Sequence, residues 1–250
     1  MSKKICAILM TVMITTSFIG CISIDSNKAE DKSNAKTATE VKISDENLQG
    51  SWAEDYSLEK TKGYFKDYLS KMEKVTQELG MEYSKEDVVK ENDGSTISVN
   101  SIYFDNEKPD PNKIESMYFG MKIFGEDLSS GEIELKLSLN FDSAEVIKSG
   151  SFDLGNTSFS KYIAAFTGQS SRDYSQINKQ IIDGLRSEKS EGIIENSIDG
   201  LRSEKSEGII ENSIDGLKEE IRFNKNYIVY KLSTKTYDFK NPNPTLENNN

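Results

Sequence analysis

The chain has 250 residues, 42 acids against 31 bases, a formal net charge of −11 and an isoelectric point near 4.8. Such a surface repels phosphate backbones, so nucleic acid is not an expected partner. There is no histidine, and the two cysteines are Cys6 and Cys21, which removes histidine general-base catalysis and His-ligated zinc from consideration.

Lys3 and Lys4 precede an uncharged apolar run, Ile5 to Ile19, which ends on the small residue Gly20 before Cys21. Positive, apolar, small is the order of a secretory signal. The residues Phe18-Ile19-Gly20-Cys21 resemble the lipobox of bacterial lipoproteins, with Phe18 in place of the usual leucine. The resemblance implies removal of residues 1–20 and lipidation of Cys21. It also implies residence at the cell membrane or outer envelope, with the membrane as partner through the lipid. An uncleaved anchor is the other reading, because Ile5 to Ile24 carries no charge over a length that spans a bilayer. Thr11, Thr15, Thr16 and Ser17 dilute the second half of that run. Under the lipoprotein reading Cys6 leaves with the signal and Cys21 is acylated, so the mature domain has no thiol and rests on core burial alone. The leader takes two lysines and no acid with it, which moves the charge from −11 to −13.

Residues 21–49 are expected to form a flexible tether. From Ile22 to Gln49 they are mostly Ser, Asn, Lys, Asp, Glu, Thr and Ala with no aromatic residue, a composition that cannot offset ordering entropy. A coil of that length spans roughly 30 Å. Residues 50–240 are expected to form a single domain. It opens with Gly50-Ser51-Trp52, which looks like the Gly-x-Trp of the first lipocalin strand and would imply a small-ligand carrier. The plain alternative is Trp52 as a buried apolar plug at the domain edge.

From Leu58 the apolar period becomes helical: Leu58, Phe65, Tyr68, Leu69, Met72, Val75 and Leu79 lie on one stripe, with Ser57 placed to cap the start and Gly80 to end it. Asn92-Asp93-Gly94 marks a turn. Thr96 to Phe104 and Met117 to Phe124 are expected strands, with a loop around Pro109 and Pro111 between them. Ile133, Leu135, Leu137, Leu139 and Phe141 then alternate with Glu132, Glu134, Lys136, Ser138 and Asn140. Strict period two means one buried and one wet face, hence an antiparallel sheet. Gly125 to Gly131 reads as the hairpin loop before it. Val146 to Leu154 is expected as a further strand, Thr157 to Phe166 as a short helix, and Ile221 to Phe239 as strand again. Residues 241–250 are expected to be a disordered tail.

Residues 183–198, Asp-Gly-Leu-Arg-Ser-Glu-Lys-Ser-Glu-Gly-Ile-Ile-Glu-Asn-Ser-Ile, recur letter for letter at 199–214, and a third copy stops after Asp215-Gly216-Leu217. Packing demands similar repeats rather than identical ones, so identity points to recent duplication. A continuous packed helix would turn by roughly 160° over the insertion. The repeat is therefore expected to protrude as a helical segment or hairpin, weakened by its glycines.

No phosphate-binding glycine loop or nucleophile elbow occurs, and no cofactor is expected. Asp105, Glu107, Asp110 and Glu115 cluster at the proline loop, where hard oxygen ligands can hold calcium, but their spacing is not that of an EF-hand; a solvated acidic loop is the plainer reading. Glycoside hydrolysis needs two carboxylates flanking one bond, and no pair is singled out. The expected fold is α+β, an antiparallel sheet covered by helices. The expected function is that of a non-enzymatic, lipid-anchored protein that binds a protein or other ligand or serves as envelope material. The alternative is a carboxylate-dependent hydrolase or a lipocalin-like carrier.

Overall fold

The computed structural model describes residues 43–92, 95–187 and 208–239. The leader, Cys21, the tether up to residue 42, repeat residues 188–207 and the tail lie outside them. Four helices and eight strands follow in the order α1 (Leu58–Glu78), β1 (Ser84–Asn92), β2 (Ser95–Asp105), β3 (Lys113–Phe124), β4 (Ser130–Asn140), α2 (Ser143–Ser149), α3 (Phe159–Thr167), α4 (Ser175–Ser187), β5 (Gly208–Ile214), β6 (Leu217–Phe223), β7 (Tyr227–Ser233) and β8 (Tyr237–Asp238). The strands make one antiparallel sheet of order β1-β2-β3-β4-β7-β6-β5, with β8 paired to the start of β4. The fold is α+β.

The alternation in β4 has the expected effect. Ile133, Leu135, Leu137 and Leu139 are fully buried, each contributing about 1.5–3 kcal/mol of apolar burial. The helices cover that face. Phe65 of α1 stacks on Phe119 of β3 with ring centres 5.4 Å apart. Tyr162 of α3 reaches Thr76 of α1 through a buried hydrogen bond of 3.0 Å. Ser57 caps α1 by accepting from the Lys60 N–H at 3.3 Å. Ile177, Ile181 and Leu185 place α4 on the same core.

Among the described residues the other face carries no helix. The sheet is open, with β1 and β5 as edges, so the closed barrel suggested by Gly50-Ser51-Trp52 is not formed. Trp52 lies in a short turn of 3₁₀ helix and is buried, its ring 5.1 Å from that of Tyr68 and 5.3 Å from that of Phe166.

Three expectations are corrected. Val146 to Leu154 is not a strand. Asp142 accepts from the N–H groups of Ala144 and Glu145, Gly150 ends the turn at φ +69°, and the residues between form α2; local capping overrides the β-branched composition. The tether ends earlier than residue 49, because Leu48 is buried, Asp45 pairs with Lys218, and Asp45 also accepts from the Thr236 N–H at 3.2 Å.

The third correction concerns the repeat. Its described parts take two structures: residues 183–187 close α4, whereas 208–214 are strand β5. Ile210 and Ile214 of β5 are buried at the sheet, and Asp215 and Gly216 turn into β6 with φ of 49° and 85°. Positive φ at both residues is what a two-residue hairpin turn of matching twist requires. Asp-Gly-Leu is thus helical at 183–185, whereas at 215–217 Asp-Gly forms a turn and Leu217 opens β6. Tertiary context decides.

Candidate functional site

The uncovered face is built from the polar halves of alternating strands. Register sets its rows: Tyr118, Lys136, Lys231 and Glu220 stand side by side across β3, β4, β7 and β6. In the next row Ser138 of β4 lies opposite Val229 of β7, which lies opposite Arg222 of β6. Ser138 and Val229 are short, so the surface sinks between longer neighbours. The result is an open depression of about 540 Å³, walled by Glu115, Arg222 and Tyr227 and bounded along the strands by Glu134, Lys136, Lys231 and Glu220.

Five of its six charged groups hold a partner. The Ser138 hydroxyl donates to Glu115 at 3.0 Å, Lys231 meets Glu134 at 2.7 Å, and Arg222 Nε donates to Glu220 at 2.6 Å. Burial pulls the Lys231 ammonium down, but Glu134, Glu132 and Glu220 outweigh it, so the group titrates above its ordinary value. At the edge of this face, burial and then the Glu134 charge raise Tyr118. Its hydroxyl and that of Ser101 are both buried without a hydrogen-bond partner, above Gly120, where a β-carbon would lie 2.3 Å from the Tyr118 oxygen.

Three acids and three bases give the groove no net charge and hydrogen-bonding groups of both kinds. Glu115 is held at Ser138, and roughly 13 Å of strand separates Ser138 from Glu134.

A second polar cluster lies on the helix side. Glu219 is buried and receives both nitrogens of the Arg172 fork at 2.6 and 2.7 Å, the Tyr230 hydroxyl, and the Asn212 amide at 3.1 Å. Arg172 also donates to the Tyr230 oxygen at 2.9 Å and lies over the Tyr174 ring. Burial, then the Glu219 charge, holds Tyr230 well above its ordinary range. With four donors on Glu219 the carboxylate is saturated. This cluster fastens the segment before α4 to the sheet.

The acidic loop foreseen as a calcium candidate is not gathered around one point. Glu115 turns to Ser138, while Asp110 accepts the Lys113 N–H through its backbone oxygen. Among the described residues no group of three or more metal-ligating side chains converges. Cys21 lies outside the described residues. Of the groove residues, Glu134, Lys136 and Ser138 were legible as the wet side of β4. Glu220, Arg222, Val229 and Lys231 were missed, although Leu217 to Phe223 alternates in the same way. No protein-family model matches the chain, and neither a curated protein nor a solved structure does.

Proposed function

We propose that this chain is an extracytoplasmic lipoprotein, anchored through Cys21, that holds the uncovered face of its sheet away from the membrane to bind a polar ligand without catalysis. The observation that carries the binding reading is the depression over Ser138 and Val229, whose ionic walls are fixed by mutual pairing before any ligand arrives. Fixed groups of both signs favour a ligand rich in hydrogen-bonding groups and of low net charge, because a strongly charged one would have to break an existing pair. The anchor reading rests on Lys3, Lys4 and Phe18-Ile19-Gly20-Cys21. Among the described residues no helix is long and apolar enough to cross a membrane. Repeat residues 188–207 are carried outside the core, a reading supported by the meeting of α4 and β5 on Phe223.

Two measurements test this. Radiolabelled palmitate should enter the wild-type chain and not Cys21→Ala; label in both, or in neither, overturns the anchor. On arrays of neutral oligosaccharides and short uncharged peptides, the wild type should bind at micromolar concentration, and Ser138→Phe, which fills the floor, should lose that binding. Binding unchanged by the filled floor overturns the groove.

A further inference from the structure

β1 ends one side of the sheet: it pairs with β2, and among the described residues no strand lies on its outer edge. A free edge is a template for another strand. From Ser84 to Asn92 it reads Ser-Lys-Glu-Asp-Val-Val-Lys-Glu-Asn, and Val89 stands 67% exposed on it. We propose that a second copy of this chain pairs there, β1 against β1 about a twofold axis at Val88, so that two sheets become one.

The choice of register carries the inference. Two copies of one strand related by a twofold axis run antiparallel, and the residue at the axis stands opposite itself. With Val88 there, all nine residues of β1 are paired. Lys85 then faces Glu91 of the second copy and Glu86 faces its Lys90, each pair occurring twice, with Val88 against Val88 between them. Directly opposite side chains lie about 4.5–5.5 Å apart at Cβ, close enough for opposite charges to attract and like charges to destabilise. The neighbouring symmetric registers all fail on that count. An axis at Glu86, Asp87 or Lys90 sets a charged residue against itself, and an axis at Val89 sets Asp87 against Glu91. Charges on an edge strand ordinarily turn other strands away. Here they turn away these registers and favour one, which makes the edge selective for its own copy.

The open side of β1 is already arranged for this. Glu86 and Lys90 meet within the strand, with the half-buried Val88 between them. The same two residues of a second copy complete a ring of alternating sign around the paired valines. Glu86 shares a row with Ser101, Gly120 and Glu134 on the uncovered face. Opposite residues of an antiparallel pair point to one side of the sheet, so both copies turn their uncovered faces, and the depressions on them, the same way. On the helix side Lys85 also reaches Glu73 of α1, at 2.5 Å. The pair formed by Glu86 and Lys90 is therefore the one to reverse.

The test is sedimentation equilibrium of the full chain in density-matched neutral detergent, at about 100 µM to suit a small interface. The wild type should be dimeric. Glu86→Lys sets lysine against Lys90 of the second copy, and Lys90→Glu sets glutamate against its Glu86. Each single variant should dissociate about tenfold more readily or beyond, because two attractive pairs become repulsive. Glu86→Lys with Lys90→Glu in one chain restores opposite signs and should dimerise again. An equimolar mixture of the two single variants should form a mixed dimer although neither forms its own, a result that a variant with a misfolded β1 could not give. A monomeric wild type overturns the pairing, as does a dimer that survives both single reversals. It is equally overturned if neither the double reversal nor the mixture recovers the dimer.

Discussion

The carboxylate of Asp215 accepts the backbone N–H of Ser51 at 2.9 Å and its hydroxyl at 2.5 Å, across 164 residues of sequence. The Asp215 carbonyl also accepts the Trp52 N–H at 3.0 Å. Gly50 and Gly216 allow this closeness: a β-carbon at the first would lie 2.3 Å from the Asp215 carbonyl carbon, and one at the second 2.3 Å from the Ala53 nitrogen. The turn left by the aborted third repeat copy thus closes over the start of the domain. From there Tyr237 donates to the Trp52 carbonyl at 2.8 Å and Lys235 meets Asp55 at 2.5 Å. The residues that open the described part of the chain are thus bound to the end of the sheet.

Asp215→Ala removes both side-chain bonds and places a β-carbon residue without a turn-forming side chain at positive φ. The expected loss is about 1–3 kcal/mol, or roughly 2–4 °C per kcal/mol for a domain of this size. Gly216→Ala should cost at least as much, since the Ala53 backbone cannot yield as a side-chain tip would. Melting curves check both; a Tm within a degree of wild type would show that the clasp contributes nothing.

The faces of β4 set a second expectation. Leu137 is fully buried between β3 and β7, so Leu137→Asp forces an unpaired charge into the core at a cost of several kcal/mol, on the order of 4. Lys136→Gln, one residue along on the open face, should stay within about 0.5 kcal/mol. Chemical denaturation of the two variants compares them directly, and similar midpoints would contradict the assignment of faces.

The elements legible in the sequence were those whose signal is local and repeated. Ser57 with the stripe from Leu58 set α1, and five alternating apolar residues set β4. Signals that depend on neighbours were lost. Val146 and Ile147 read as strand until Asp142 and Gly150 bracket them as a helix. The stretch Gly208 to Ile214 carries no local signal that marks it out from its copy; contact with β6 makes it a strand. The groove was half legible: the wet side of β4 was plain, but which strand would lie beside it depends on β7 entering the sheet next to β4, a long-range pairing that no local pattern encodes. The saturation of Glu219 by Arg172 was equally hidden, because the two lie 47 residues apart.

That ion pair yields a third expectation. Arg172→Met leaves Glu219 buried with its charge uncompensated, which should cost about 3–5 kcal/mol. The double variant Arg172→Met with Glu219→Gln should recover much of the loss, since Tyr230 and Asn212 still serve the amide oxygen. A double variant no more stable than the single one would mean the pair acts through packing, not charge. Urea titrations of the four species close the cycle.

Alkaline pH should unfold this domain earlier than its acids alone would suggest. Burial pushes Tyr162 up to about 12, against a hydrogen bond from Thr76 that pulls it down, from an ordinary 10.0. Burial likewise raises Tyr118, Tyr230 and Tyr237. The unfolded chain loses these protons near pH 10 while the folded one keeps them, so the folded state binds more protons and stability falls as pH rises. It should be flat in these groups below about pH 9 and decline from about 10 upward. Tyr162→Phe removes one such group and should make the decline between about pH 10 and 12 shallower by one proton. The slope of the urea midpoint against pH measures this, and an unchanged slope would show that Tyr162 ionises equally in both states.

Removing one unit of the repeat should leave the domain standing. Deleting residues 188–203 joins Ser187 to Glu204 and keeps four residues, 204–207, between α4 and β5. Those four bridge at most about 16 Å, and the gap is short because Gly184 and Gly208 both pack on Phe223. The shorter connection loses less closure entropy. The Tm should therefore stay within a few degrees of the parent or rise slightly, by about 1 °C or so for a gain of a few tenths of a kcal/mol. Limited proteolysis of the parent should cut first at Arg186, Lys189, Arg202 or Lys205, and the deletion variant should resist longer, since two of those four sites are gone. A variant that fails to fold would mean that residues 188–203 pack against the sheet or each other, and that both copies are needed by the architecture.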